Sequence, residues 1–92
     1  MISIVIPTFN EIRNISEIIN QLLKLDFSSD LEIIIVDDNS SDGTADKVRQ
    51  LVHNDKRIRL INRVGRSGLS SAIKEGCLCA SGELVVVMDA DG

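Results

Sequence analysis

Aromatic side chains are almost missing from this chain. It has no tryptophan and no tyrosine, only Phe9 and Phe27, so a binding site here has little stacking surface of its own. The single histidine, His53, stands alone near a helix end and reads as a solvated side chain without a role. Cysteine is confined to Cys77 and Cys79 inside a helical pattern. Two residues of helix turn them about 200° apart, so they neither bridge each other nor clamp one metal ion. Cys77 reads as a small core residue and Cys79 as a bystander, and a reducing, cytoplasmic setting suits both.

Long apolar runs are absent too. Nothing approaches the ~18 residues of a membrane span. The apolar start from Met1 to Ile6 is broken by Pro7, which is not the pattern of a secretory leader. There is no internal repeat. A basic excess is also lacking: the formal net charge is −4, which makes a nucleic-acid backbone an unfavourable partner. What is present is 43% hydrophobic and 26% charged residues over a length of 92. That balance describes one small, soluble globular domain with enough apolar surface to offset chain entropy.

Two kinds of segment alternate. Ile2 to Ile6, Leu31 to Val36, Arg57 to Ile61 and Glu83 to Met88 are short and rich in Ile, Val and Leu. The second and fourth are nearly continuous apolar runs, the pattern of strands buried on both faces of a parallel sheet. Between them run helical periods: Ile12, Ile15, Ile18, Ile19, Leu22 and Leu23; then Ala45, Val48, Leu51 and Val52; then Leu69, Ala72, Ile73, Gly76, Cys77 and Ala80. Asn10 or Asn14 can cap the first helix, Asp42 to Thr44 the second and Ser67 the third, while Gly82 reads as a stop for the third. The expected architecture is β-α-β-α-β-α-β, an α/β Rossmann-like domain. Right-handed crossovers favour a parallel sheet in the order 3-2-1-4, with helices on both faces. Ligands bind such sheets at the carboxyl ends of the strands, where the order reverses.

The residues at those ends are polar. They are Pro7-Thr8-Phe9-Asn10-Glu11, Asp37 to Thr44, Asn62 to Gly68, and Asp89-Ala90-Asp91. Asp89 and Asp91 would extend a buried strand, and alternate strand residues point the same way. Two hard oxygen donors at an open edge suit Mg²⁺ or Mn²⁺ completed by water and a diphosphate. Asp38 can accept a hydrogen bond from a base N–H. Asp42, Gly43 and Thr44 also read as a well-capped turn. Arg63 and Arg66 are the cations nearest this acidic edge. They could neutralise a diphosphate or simply be solvated, and Gly65 and Gly68 would let the backbone approach it. Asp37, Asp38, Asp42, Asp89 and Asp91 are five of the 14 acidic residues, so the excess negative charge gathers at one sheet edge.

The series VIPTFNE, EIIIVDDNSSDGT, GRSGLSSAIKEG and ASGELVVVMDAD resembles the family 2 glycosyltransferases with the GT-A fold. The resemblance covers essentially the whole chain, and four such pieces in order are far more specific than any one alone. The GLSSAI piece is similar to the branch of dolichyl- and polyprenyl-phosphate mannosyl- and glucosyltransferases. The resemblance implies transfer of a sugar from a UDP- or GDP-sugar to an acceptor, a polyprenyl phosphate or a saccharide, with inversion and with Mn²⁺ or Mg²⁺. It implies that Pro7, Thr8, Asn10 and Glu11 line the base and ribose pocket and that Asp38 accepts from the base while Asp37 supports the turn. Arg63 or Arg66 would then lie near the base or diphosphate, and Asp89 and Asp91 would hold the ribose and the divalent ion. No catalytic base falls on these motifs; it is expected in a missing C-terminal half. The expectation is therefore a donor-binding domain over residues 1–92, stopped after its Asp-x-Asp, that binds nucleotide and metal without turnover. A lipid acceptor would bring it to the cytoplasmic face of a membrane.

Three other readings compete. A binding-only remnant of a glycosyltransferase keeps every motif. A phospho-accepting receiver domain would gather Mg²⁺ on Asp37, Asp38 and Asp89, but the first β-α unit with its PTFNE turn is not required there. A Rossmann dinucleotide binder lacks its Gly-x-Gly-x-x-Gly. With three helices shared between two faces, one face is under-covered and the fourth strand is an open edge, so self-association through that strand or the third helix is expected.

Overall fold

The computed structural model describes residues 1–25, 30–65 and 68–90. Strands and helices alternate: β1 (Ile2–Thr8), α1 (Ile15–Lys24), β2 (Leu31–Asp37), α2 (Thr44–Asn54), β3 (Ile58–Asn62), α3 (Leu69–Cys79) and β4 (Leu84–Val87). The strands form one parallel sheet in the order β3-β2-β1-β4, as the crossover rule predicts. Both central strands run further than their apolar residues do. Thr8 and Asp37 are register partners at the end of β1 and β2, and the Thr8 hydroxyl donates to Asp37 Oδ1 at 2.7 Å, so the ladder carries polar side chains to the sheet edge.

The side-chain alternation of β1 and β2 divides the core. Ile4, Ile6, Ile33 and Ile35 pack against Ile15, Ile19 and Leu22 of α1 and Val48 of α2. On the opposite face, Val5, Ile34 and Val36 pack against Ala72 of α3. Gly76 lets α3 lie close: a Cβ there would sit 2.4 Å from Val5 Cγ1 and 3.0 Å from Val36 Cγ2. β2 is buried over its full length, as its apolar run predicts for a strand with neighbours on both sides.

β4 departs from that expectation. All four of its residues are exposed, because it pairs only with β1 and stands at the edge. Cys77 departs as well, being exposed while Cys79 is only half-buried. The close approach at Gly76 leaves α3 a narrow buried stripe, Ala72 and Gly76, laid over β1 and β2. His53 is exposed, as expected.

The first two helices begin at the predicted positions, Asn14 and the Asp42–Thr44 turn. Asn14 occupies the first cap position without a side-chain hydrogen bond. Gly43 and Gly68, both in left-handed or glycine-favoured backbone, take the second and third, and Ser67 lies outside the described residues. α3 stops at Cys79, before Gly82. Gly82 is needed instead for close packing, since a Cβ there would lie 2.6 Å from Ser3 Oγ and 2.8 Å from the Met1 carbonyl oxygen. Among the described residues no helix is long and apolar enough to cross a membrane.

Candidate functional site

The loops after β1 and β2 are sewn together by side chains. Asp37 is wholly buried. Its carboxylate accepts the Thr8 hydroxyl at 2.7 Å, the Ser40 hydroxyl at 2.6 Å and the Ser40 N–H at 2.9 Å. Ser40 Oγ in turn accepts the Asn10 N–H at 2.8 Å, and Asn10 Oδ1 accepts the Ser41 N–H at 2.9 Å. Asn10 and Asn39 both sit at φ 55°, a left-handed conformation that Asn tolerates better than most residues. Further along, the Glu11 N–H donates to Thr44 Oγ1 and the Ile12 N–H to Asp42 Oδ2. Asp42 also accepts the Thr44 N–H and hydroxyl. Partial desolvation pushes the Asp42 carboxyl up, but the bonds from Thr44 and Ile12 outweigh it and hold the group below its ordinary value. Asp42 and Thr44 thus serve the turn, and Asp37 is a brace whose oxygens are already engaged.

Asp38 faces the other way. Its N–H donates to the Thr8 carbonyl at 3.0 Å, and its Oδ2 accepts the Gly68 N–H at 3.1 Å. Its Oδ1 lies 2.8 Å from Arg63 Nε, too poorly aligned for a hydrogen bond, and Arg63 Nη1 is 3.8 Å from Glu75 Oε1. The Arg63 side chain is only 1% exposed. It is therefore neither a solvated charge nor a free cation at the site: it sits beneath Asp38 as a charge partner. Arg66 lies outside the described residues.

Above this scaffold is a cavity of about 370 Å³ at the carboxyl edge of the sheet. Pro7, Thr8, Phe9 and Glu11 line one side; Asp38, Gly68, Leu69 and Ala72 line another; Asp89 and Ala90 complete it. Of the residues expected at the site, Pro7, Thr8, Glu11, Asp38 and Asp89 are brought together there. Asn10, Asp37 and Arg63 do not line it: Asp37 and Arg63 are buried, and Asn10 is exposed beside it. Phe9 was not singled out from the sequence, yet it is 61% exposed and offers the pocket an aromatic face; its place inside the PTFNE turn was the available signal. A larger hollow of about 760 Å³ lies at the opposite end of the sheet, near Met1, Lys24, Lys56 and Arg59, remote from the strand carboxyl ends.

Asp89 lies beyond β4, which ends at Val87, and the last β1–β4 bond runs from the Met88 N–H to the Val5 carbonyl at 3.0 Å. The expectation of a buried strand continued to this point is not met at Asp89, which is exposed just past the strand, with Ala90 buried behind it. Asp91 lies outside the described residues. Among the described residues no three acidic, histidine or cysteine side chains form a metal cage, and Asp89 makes no hydrogen bond or ion pair. An open carboxylate at a pocket rim fits Mg²⁺ or Mn²⁺, which take one or two carboxylates and fill the remaining positions with water and phosphate oxygens.

The sequence profile of glycosyl transferase family 2 matches residues 3–92. The chain belongs to that family. It is 37% identical over 92 residues to a dolichol-phosphate mannosyltransferase of Saccharomyces cerevisiae, covering 97% of this chain and 34% of the relative. It is 39% identical over 90 residues to a dolichol-phosphate mannosyltransferase of Pyrococcus furiosus, covering 98% of this chain and 25% of the relative. Among solved structures, a mannosyltransferase from Pyrobaculum calidifontis in complex with GDP-Man and Mn²⁺ superposes with a TM-score of 0.89 at 32% identity. That match covers 98% of this chain and 27% of the other. The chain thus spans about a third or less of the length of these relatives. Family 2 membership overturns the receiver-domain alternative, and the buried, fully engaged Asp37 agrees, since a receiver would need it open to Mg²⁺.

Proposed function

We propose that this chain is the donor-binding part of a family 2 glycosyltransferase that transfers a sugar from a UDP- or GDP-sugar, with inversion, to an acceptor of the polyprenyl-phosphate class. The observation that carries the reading is the pocket at the carboxyl edge of the sheet, where Asp38 and Asp89 meet the Pro7–Glu11 turn. Pro7, Thr8 and Glu11 form the base and ribose wall with Asn10 bracing them, and Phe9 supplies an apolar face. Asp38, fixed by the Gly68 N–H and the Arg63 charge, accepts an N–H from the base. Asp89, with Asp91, holds the divalent ion. When bound, that ion stabilises the diphosphate whose charge grows as the glycosidic bond breaks. Arg63 contributes by keeping Asp38 in place, since its burial leaves it no direct path to a diphosphate.

The relatives' names, dolichol-phosphate mannosyltransferases, support a lipid-phosphate acceptor, which as an anion needs little help from a base. The relatives are about three to four times longer than the span they share with this chain, which supports assigning donor binding to residues 1–92 and turnover to a larger whole. Calorimetric titration of the chain with GDP and UDP, with and without Mn²⁺, tests the reading. Metal-dependent binding lost in Asp38→Ala and Asp89→Ala is expected. Equal binding in the presence of EDTA, or no effect of either substitution, would sink it.

A further inference from the structure

β4 is an edge strand whose side chains do not define its own register. Leu84, Val85, Val86 and Val87 are apolar on both faces, and all are exposed. Sliding such a strand along β1 replaces valine by valine, so the hydrophobic pattern that normally specifies pairing says little here. Yet the strand is held in one alignment, with Ile2, Ser3, Ile4 and Val5 opposite Leu84, Val85, Val86 and Val87. A slip by two residues would keep the faces and move Asp89 about 7 Å along the strand, out of its place at the pocket.

What holds the alignment is at the other end of the sheet. The three amides that lead into β4 are all fastened: Ser81 N–H to Glu32 Oε2 at 2.9 Å, Gly82 N–H to Ser3 Oγ at 2.8 Å, and Glu83 N–H to the Met1 carbonyl at 3.0 Å. The Ser3 hydroxyl in turn donates a hydrogen bond to Glu32 Oε2 at 2.6 Å. The hydrogen bonds therefore run in one direction, from Gly82 through Ser3 to the carboxylate. Glu32 Oε1 accepts from Arg59 Nη1 at 2.6 Å, and the same nitrogen reaches the Cys79 carbonyl at the end of α3 at 2.9 Å. Ser3 and Glu32 are both buried. Gly82 supplies the residue without Cβ that fits against Ser3, whereas a two-residue slip would bring Ala80 or Leu84 there. A slipped strand would leave the buried Ser3 and Glu32 without these donors, which is costly.

We propose that Ser3, Glu32 and Gly82 form a register pin for β4 and that Glu32, about 16 Å from the pocket along the strands, is a positioning residue for Asp89. The pin stands on the geometry alone; its effect on ligand binding rests on the donor-site reading above.

The test is NMR of the isotopically labelled 92-residue chain, reading cross-strand contacts between β1 and β4, together with titration by GDP and Mn²⁺. Wild type is expected to show the Ile4–Val86 contact alone, as its register pairs them. Ser3→Ala and Glu32→Ala are expected to add a second set of β4 signals with Ile4–Leu84 or Ile4–Met88 contacts, at a tenth of the population or more, and to weaken GDP–Mn²⁺ binding at least tenfold. Glu32→Gln, which keeps an oxygen for Ser3 and Ser81, is expected to restore the single register. Leu22→Ala, a core truncation in α1, serves as the control: it lowers stability but leaves one register. A single register in both pin variants, or a second register in Leu22→Ala, would overturn the proposal. If the pin variants do not fold, hydrogen exchange of the wild type decides instead. Ser81, Gly82 and the β4 amides opening as one unit, apart from β1–β2, supports the pin; independent opening overturns it. Should wild type bind no nucleotide, the donor-site reading fails while the register readout still judges the pin.

Discussion

Arg63 Nε lies 2.8 Å from Asp38 Oδ1, with the arginine side chain 1% exposed and the aspartate 12%. Two charges that deep are stable only as partners. Truncating Arg63 to Ala should therefore destabilise the fold by about 3 kcal/mol, since it strands a carboxylate and leaves a void where a buried side chain stood. Arg63→Lys keeps the charge but loses the planar contact with both Asp38 and Glu75, so it should fall between the two. Urea unfolding monitored by circular dichroism measures both, and an Arg63→Ala variant as stable as wild type would refute the pairing.

Asp37 differs from its neighbour in being a brace. It collects two hydroxyls and one backbone N–H while fully buried, so Asp37→Ala leaves those donors unmet at a cost of about 3 kcal/mol. The donor pocket should feel this only indirectly. A nucleotide titration of any folded Asp37 variant is expected to show weaker binding that stabilising cosolvent partly restores. Asp38→Ala, by contrast, should lose binding that no cosolvent returns.

Gly76 is the contact point of α3 with the sheet. A methyl group there would overlap Val5 and Val36 side chains, and both are locked in a close-packed layer. Gly76→Ala should cost about 1–3 kcal/mol through overpacking, despite alanine's better helix propensity. Gly76→Ala combined with Val5→Ala should recover part of the loss, because the second change removes the most severely struck atom, Val5 Cγ1, while Val36 Cγ2 remains. Thermal unfolding of the single and double variants checks this; additive losses would contradict it.

These cases also show what could be read from residues alone. The nearly continuous apolar run in β2 predicts a strand buried on both faces, and the alternation with helices leads through the crossover rule to the observed strand order. The run in β4 carried the same pattern without the same burial, because apolar character does not reveal whether a neighbouring strand exists. The polar turns at the strand ends marked the pocket, but Arg63 looked like a loop cation. Its descent beneath Asp38 depends on β2 and β3 lying side by side, with the Arg63 N–H bonded to the Asp37 carbonyl. Glu32 is not marked as a site residue by its sequence context. A single acid inside an apolar strand was the signal, yet its meaning appears only when the sheet register sets it beside Ser3.

Glu32 gives the fold a defined acid sensitivity. Burial pushes its carboxyl up, but the Ser3 hydroxyl, the Ser81 N–H and the Arg59 guanidinium outweigh burial and hold it below its ordinary value of 4.5. A carboxyl lowered on folding contributes its full stabilisation above its unfolded pKa, where both states are ionised, and loses it between the two pKa values, where the unfolded chain takes up a proton the native state still does without. That contribution should be complete near neutral pH and disappear as pH falls from about 4.5 through the lower folded value. The difference in unfolding free energy between wild type and Glu32→Gln, measured by urea denaturation from pH 7 to pH 3, should therefore be constant above pH 5 and shrink below it. Asp42 and Asp55 are lowered as well and will steepen the acid loss in both proteins, so they cancel in the difference. A difference that stays flat down to pH 3 would show that Glu32 is not held ionised by its three partners.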